Sequence, residues 1–373
     1  MKKYIILIFC FLFHDNYAEQ FVYPVADFDN GNQLMILYQK SLNCVELWFW
    51  NTTNHRAMKG LSSFFTPANL RMMPSGKGFS FIDQGYIKIK EFVKRSPRTL
   101  PIYEPIGLFS SMNWIDDETF YFVAREGDFF QIFQGDLQAN IQRLTNEPAD
   151  ALYPQKIGST LFYMQRNMSN QITIISQPWN PIAINRCETL HDTSCQSVIM
   201  QSSLQQLCFL RMISEREGFY LQAPIKKKNK NNDCFEFICH HLMQQNDNQW
   251  ITEKLFTFQI PSKYLIGSTR LYESLEPFLP NYNNENMVYF VNWEQEADQF
   301  QLCTYNIATK NIESACNELL RYRKNGQQIF APYIHKDFMH CGFILHNQRN
   351  SESLQHIFEM DDVEFSLPYC KIK

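Results

Sequence analysis

Seven short segments that are apolar on both faces recur along this chain, and they limit its possible folds more than any other feature. They are Leu34-Met35-Ile36-Leu37-Tyr38, Phe79-Ser80-Phe81-Ile82, Thr119-Phe120-Tyr121-Phe122-Val123, Thr160-Leu161-Phe162-Tyr163-Met164, Gly218-Phe219-Tyr220-Leu221, Met287-Val288-Tyr289-Phe290-Val291 and Cys341-Gly342-Phe343-Ile344-Leu345. Each is short, rich in β-branched and aromatic residues, and bounded by Asn, Asp, Gly or Pro, which is the pattern of a strand and not of a helix. A strand with one wet face alternates apolar and polar residues, so a run without alternation has to be covered on both sides.

After each run comes a second strand that alternates more clearly, beginning near Val45, Tyr86, Gln131, Gln171, Cys234, Phe300 and Leu354. The first four starts are 41, 45 and 40 residues apart, and the next three gaps are 63, 66 and 54. A repeat of this period marks stacked units, none of which buries its apolar faces alone. The pattern therefore predicts an all-β protein, a β-propeller of seven four-stranded blades, with six as the alternative depending on how Phe21 to Leu61 and the final segment complete a blade. Sandwiched inner strands are then dry on both faces and outer strands alternate. The wider gaps read as insertions around Lys226 to Asp233 and Gly267 to Asn286, because loops absorb added residues at small entropic cost. Glu313 to Arg323, with Leu319, Leu320 and Tyr322, reads as one short helix or an outer strand.

The clearest unit runs from Trp114 to Met164. It contains Trp114-Ile115-Asp116-Asp117-Glu118-Thr119, then Gln131-Ile132-Phe133-Gln134-Gly135-Asp136-Leu137, then Gln142-Arg143-Leu144-Thr145-Asn146-Glu147-Pro148-Ala149-Asp150, and Tyr153-Pro154 before the next apolar strand. This order resembles the repeat of TolB-like propellers, in which an acidic or Gly-containing turn enters an apolar strand, a later strand ends in Asp-Leu, and Leu-Thr precedes the next blade. Met73-Pro74-Ser75-Gly76-Lys77-Gly78 is similar to the Pro-Asp-Gly turn of that repeat, with Ser75 in place of the acid. Gly76 and the Asp116-Asp117 pair suit tight turns, and Thr145 and Asn146 suit the satisfaction of backbone groups where one blade hands over to the next. The resemblance implies the fold. It carries over no partner contacts, since it covers the ring and neither the small α/β domain of TolB nor the hydrolase domain of related serine peptidases.

Lys2 and Lys3 precede an apolar run from Tyr4 to Phe13, and Asn16-Tyr17-Ala18 follows, so residues 1–18 read as a secretory signal peptide cleaved after Ala18. The run is about half the roughly 20 residues a spanning helix needs, and Cys10 sits inside it without the small residues that lipidation requires. The expected product is exported, periplasmic or extracellular, with no transmembrane segment, and its propeller domain covers 19–373. Net charge is −4 over the whole chain, which leaves no footprint for nucleic acid. The basic cluster Lys226, Lys227, Lys228 and Lys230 reads as a solvated loop tip.

Eleven cysteines become ten without Cys10, an even number that favours disulfides in an oxidising compartment. Cys303 and Cys316 lie on what read as two arms of a hairpin, and a bridge there would contribute roughly 3 kcal/mol in the chain-entropy account. Cys187 and Cys195 are a second candidate pair. Cys234 and Cys239 are five apart, which places them on opposite faces of a strand.

No metal site is expected. Cys239, His240, His241 and His191 lack zinc-like spacing, and Asp27, Asp29, Asn30 and Asn32 depart from a calcium loop at Gly31 and Tyr38. No nucleophile elbow, phosphate loop or His-Glu-x-x-His occurs. The acid pairs Asp116-Asp117 and Asp361-Asp362 read as turn residues. Asn51-Thr52-Thr53 and Asn167-Met168-Ser169 match the glycosylation acceptor triplet, at a number that chance supplies in an Asn-rich chain. Without catalytic motif or cofactor, the chain reads as a scaffold for a protein or envelope component, binding through a loop face that includes Glu147 to Tyr153. The alternative is a hydrolase acting on a carbohydrate or peptide at the central channel.

Overall fold

The computed structural model describes residues 22–25, 33–41, 44–51, 56–63, 68–83, 85–100, 112–169, 171–179, 196–202, 207–228, 233–245, 249–261, 280–283, 286–294, 299–314, 327–334, 340–347 and 370–371. Among the described residues the regular structure is entirely β, arranged as consecutive antiparallel meanders. The first sheet comprises Val22–Val25 (β1), Gln33–Ser41 (β2), Cys44–Asn51 (β3) and Arg56–Ser63 (β4), and the second comprises Ala68–Met72 (β5), Gly78–Asp83 (β6), Tyr86–Glu91 (β7) and Arg98–Thr99 (β8). Asn113–Trp114 (β9), Thr119–Glu126 (β10), Phe129–Asp136 (β11) and Ile141–Arg143 (β12) make the third; Asp150–Ile157 (β13), Thr160–Arg166 (β14), Ile172–Pro178 (β15) and Ser197–Ser202 (β16) make the fourth. The fifth holds Leu207–Ser214 (β17), Glu217–Lys228 (β18), Asp233–Gln244 (β19) and Trp250–Pro261 (β20). The sixth holds Asn281–Asn283 (β21), Met287–Glu294 (β22), Gln299–Asn306 (β23) and Asn311–Ser314 (β24), and the last shows Gln327–Ile334 (β25), His340–Asn347 (β26) and Cys370–Lys371 (β27).

The seven two-faced apolar runs are the second strands of these sheets, β2, β6, β10, β14, β18, β22 and β26. Where side chains are described the burial explains the composition: all of β6 is buried, as are Phe120–Ala124 of β10, Leu161–Met164 of β14 and Val288–Val291 of β22. Third strands supply the alternating segments; the one expected near Leu354 lies outside the described residues.

Burial on both faces follows from stacking. β9 lies beside β5, β13 beside β10 and β11, β17 beside β13 and β14, β22 beside β20, β25 beside β23, and β1 beside β25. The apolar cores sit between successive sheets. Ile82, Ile87 and Ile89 meet Phe120, Phe122 and Phe133; Val123 and Ile132 meet Leu152, Leu161 and Tyr163; Phe162 and Ile174 meet Leu210 and Tyr220; Phe256 and Phe258 meet Val288 and Phe290. Each such side chain contributes roughly 1.5–3 kcal/mol of burial, which no sheet could obtain alone.

Two glycines in the quoted repeats have mechanical roles. Gly76 has φ +70° in the turn after β5, and a Cβ on Gly135 would come within 2.9 Å of the Phe120 ring. One expectation changes: part of the extra length in the fifth sheet is strand, since β18, β19 and β20 each run twelve residues. Lys226, Lys227 and Lys228 pair along β18 with Phe235, Cys234 and Asp233, where a loop tip was expected, because the ladder continues past the bulge between Gln222 and Ile225. Glu313 and Ser314 end strand β24, and no helix occurs among the described residues. Residues 1–21, Lys230, Cys187, Cys195 and Cys316 lie outside the described residues.

Candidate functional site

The expected binding face, Glu147 to Tyr153, is the crossing from the third sheet to the fourth, and half of it is strand β13. Leu144, Thr145, Ala149, Ala151 and Leu152 are buried, leaving Asn146 and Pro148 exposed. Gln131, only 1% exposed, organises the crossing. Its Nε2 donates to the carbonyls of Glu147 (2.9 Å) and Ala149 (3.1 Å), while its Oε1 accepts from Thr145 Oγ1 (2.8 Å) and from the Glu147 amide (3.3 Å). Thr145 Oγ1 in turn accepts the Ile132 amide at 2.9 Å. Of the two residues expected to satisfy backbone groups at this handover, Thr145 does so, and Asn146 stands exposed beside it.

A second layer surrounds it. Gln196 Nε2 donates to Glu147 Oε1 (2.5 Å) and lies 3.1 Å from Tyr163 Oη, and Gln177 Nε2 donates to the Leu144 carbonyl (2.9 Å). Burial and the nearby Glu147 carboxylate push the Tyr163 phenol upward, so it stays protonated. Asp150 accepts the Phe130 amide at 3.0 Å and holds Arg166 Nη2 at 2.7 Å. Tyr153 takes φ +55° at the bulge between Leu152 and Gln155. That bulge aims Gln155 at β17, where its Nε2 donates to the Leu210 carbonyl and its Oε1 accepts the Met212 amide (2.6 Å). The segment is a clamp between sheets. Sequence reasoning passed over Gln131, Gln155 and Gln196; a polar residue with apolar neighbours was the available signal for Gln131, and none existed for the others.

On the opposite edge of the sheets, the turns between first and second strands carry acids. Asp116 Oδ1 accepts the amides of Glu118 (2.8 Å) and Thr119 (2.7 Å); burial alone would raise its pKa, but these hydrogen bonds win and lower it. Asp117 reaches back to the second sheet, accepting the Ser75 amide at 2.8 Å. Glu215 of the fifth sheet does the same to the fourth: its Oε1 accepts from Thr160 Oγ1 (3.0 Å) and the Ser159 amide (3.1 Å). Those two bonds, led by Thr160, hold its carboxyl below the usual range. The Asp116-Asp117 pair therefore does turn and clamp work.

His240 and His241 project to opposite faces of β19, as adjacent strand residues must. His240 stacks on Tyr220 with centroids 4.7 Å apart, and burial, with Lys254 nearby, lowers its pKa. His241 stacks on Phe219 at 5.0 Å and meets Glu217 Oε1 through Nε2 at 2.7 Å. Cys303 lies buried on one arm of the β23–β24 hairpin opposite Ser314, its thiol pushed up by burial and Glu294 to about 12; Cys316, its expected partner, lies outside the described residues. Cys239 is likewise buried, and desolvation raises it.

Stacked meanders whose cores lie between neighbours define a β-propeller. Solved structures agree: the chain is similar to an oligogalacturonate lyase in complex with manganese at 8% identity, covering 86% of this chain and 86% of that one, with TM-score 0.51. It is also similar to a putative TolB from Agrobacterium tumefaciens (15% identity, 65% and 83% covered, TM-score 0.44) and to TolB from Acinetobacter baumannii (11%, 76% and 63%, 0.46). At such identities the likeness concerns the fold. No protein-family model and no curated protein matches the chain.

Proposed function

We propose that this chain is an exported, non-catalytic β-propeller of seven blades that serves as a binding scaffold for a protein or envelope component. The observation that carries this reading is how its acids are used. Asp116, Asp117, Asp136, Glu147, Asp150 and Glu215 all accept hydrogen bonds within turns or between blades, which leaves them poorly placed for acid–base work. A glycoside hydrolase would instead set two carboxylates about 5 to 9.5 Å apart across a pocket. Seven blades are favoured over six by the seven second strands together with β1 beside β25. Export is supported by the leader-like N-terminus, and buried thiols that stay protonated, such as Cys239 and Cys303, are inert in an oxidising compartment.

The test has two arms on the full chain. Affinity capture from the native envelope is expected to return a stoichiometric partner, and incubation with glycan and peptide panels is expected to give no turnover. Turnover without a captured partner would overturn the scaffold in favour of the hydrolase. Fractionation locating the native chain in the cytoplasm would remove the export reading separately.

A further inference from the structure

We infer that Asn167 is an acceptor for an N-linked glycan. The inference rests on the export proposed above. Of the two matching triplets, one begins at Asn51, which is the last residue of β3 and is paired with Gln33 on one side and Arg56 on the other. The other, Asn167-Met168-Ser169, forms the turn between β14 and β15. There Met168 is 80% exposed and Ser169 is exposed. The base of the hairpin is held by the Asp150–Arg166 pair at 2.7 Å, so the triplet is presented at a fixed place.

The Asn167 side chain already adopts a turn of its own. Its Oδ1 accepts the amides of Ser169 (3.0 Å) and Gln171 (2.9 Å), and its Nδ2 donates to Gln171 Oε1 at 2.9 Å. A primary amide carries two N–H groups, and Gln171 engages one. The co-reactant is a lipid pyrophosphate-linked saccharide. A bond forms between Nδ2 and the anomeric carbon, the bond from that carbon to phosphate oxygen breaks, the lipid pyrophosphate leaves with the electron pair, and the displaced amide proton passes to the transferase. Nothing is oxidised or reduced.

The full chain is expressed in cells whose secretory pathway attaches N-glycans, once behind its own residues 1–18 and once behind an unrelated secretory leader. Secreted protein is expected to lose mass on peptide N-glycosidase treatment, with glycan mapped to Asn167. Asn167→Gln and Ser169→Ala are each expected to abolish that glycan, whereas Ser169→Thr keeps it. Because Ser169 is exposed, its variants report on the acceptor even if Asn167→Gln disturbs the turn. Secreted, folded protein with Asn167 unmodified behind either leader would overturn the inference. Glycan at Asn167 behind the unrelated leader alone supports the acceptor while refuting the export reading.

Discussion

The junction between the third and fourth sheets adds a buried polar layer to its apolar core, and the junction between the fifth and sixth does not rely on one. The former encloses polar side chains, Gln131, Thr145 and Gln177, whose hydrogen bonds go to particular backbone and side-chain partners. The latter is aromatic: Phe256 stacks on Phe290 with centroids 4.0 Å apart and touches Phe258 and Tyr305, with Trp293, Cys234, Cys239 and Cys303 in the same cluster. Closing a ring demands only that flat faces fit. Polar contacts add register, because a shifted sheet would strand buried donors, whereas aromatic contacts add burial and tolerate sliding.

Removing burial should therefore cost more than removing register. Phe256→Ala is expected to destabilise the chain by about 3–5 kcal/mol through lost transfer and a residual cavity, read as a lower urea midpoint. A loss below about 1 kcal/mol would mean that the aromatic junction does not hold these sheets together.

Gln131→Leu tests the polar junction. It leaves Thr145, the Glu147 amide and the carbonyls of Glu147 and Ala149 without their partner. The expected cost is about 1–3 kcal/mol, with a coupling to Thr145→Val well above zero in a double-mutant cycle. Strict additivity would show that the two side chains do not act together.

The stacking was legible because it writes itself into composition: a second strand dry on both faces cannot alternate, so seven runs in the sequence became seven strands in place. The polar junction was legible only at Leu144-Thr145, where the residue types match the TolB-like repeat. Gln155 and Gln196 act across long sequence separations, and the bulge that aims Gln155 is one extra residue in a ladder, which periodicity does not reveal. The length of β18 to β20 was misread for a related reason. Lys226 to Lys228 have the composition of a solvated loop, yet their backbone continues a ladder set by Phe235 and Cys234, so tertiary pairing overrode local preference.

A smaller effect is expected at the junction that lies between these two, where the fifth sheet meets the fourth. Glu215, clamped by Thr160 and Ser159, has its pKa lowered from the ordinary 4.5. A depressed carboxylate contributes stability that is fully present above its unfolded value and is lost as pH falls through the folded one. Glu215→Gln should therefore lower the urea midpoint slightly near pH 7, converge on the wild type as pH falls below about 4.5, and so flatten the wild-type decline in that acid window. An unchanged acid slope would mean that the clamp has no energetic role.

The smallest effect concerns a turn that the two regions share. In the third sheet Asp136 Oδ1 accepts the amides of Gln138 and Asn140, both at 2.9 Å, and Ala139 takes φ +66°. In the sixth, Asn306 Oδ1 accepts the amides of Ala308 and Thr309, also at 2.9 Å, and Lys310 takes φ +59°. Leu137 and Ile307 then donate back to the turn before the second strand, at Glu118 and Asn286. The sixth sheet thus keeps the Asp-Leu element as Asn306-Ile307, a match hidden because the acid is what the repeat displays. What the turn needs is an acceptor oxygen three bonds from Cα, and charge is incidental. Asp136→Asn should then change stability at pH 7 by no more than about 0.5 kcal/mol, whereas Asp136→Ala, which removes the acceptor, should cost about 1 kcal/mol. Equal losses from both variants would show that the carboxylate charge, and not the shared oxygen, makes the turn, and the equivalence of the two sheets would fail at that point.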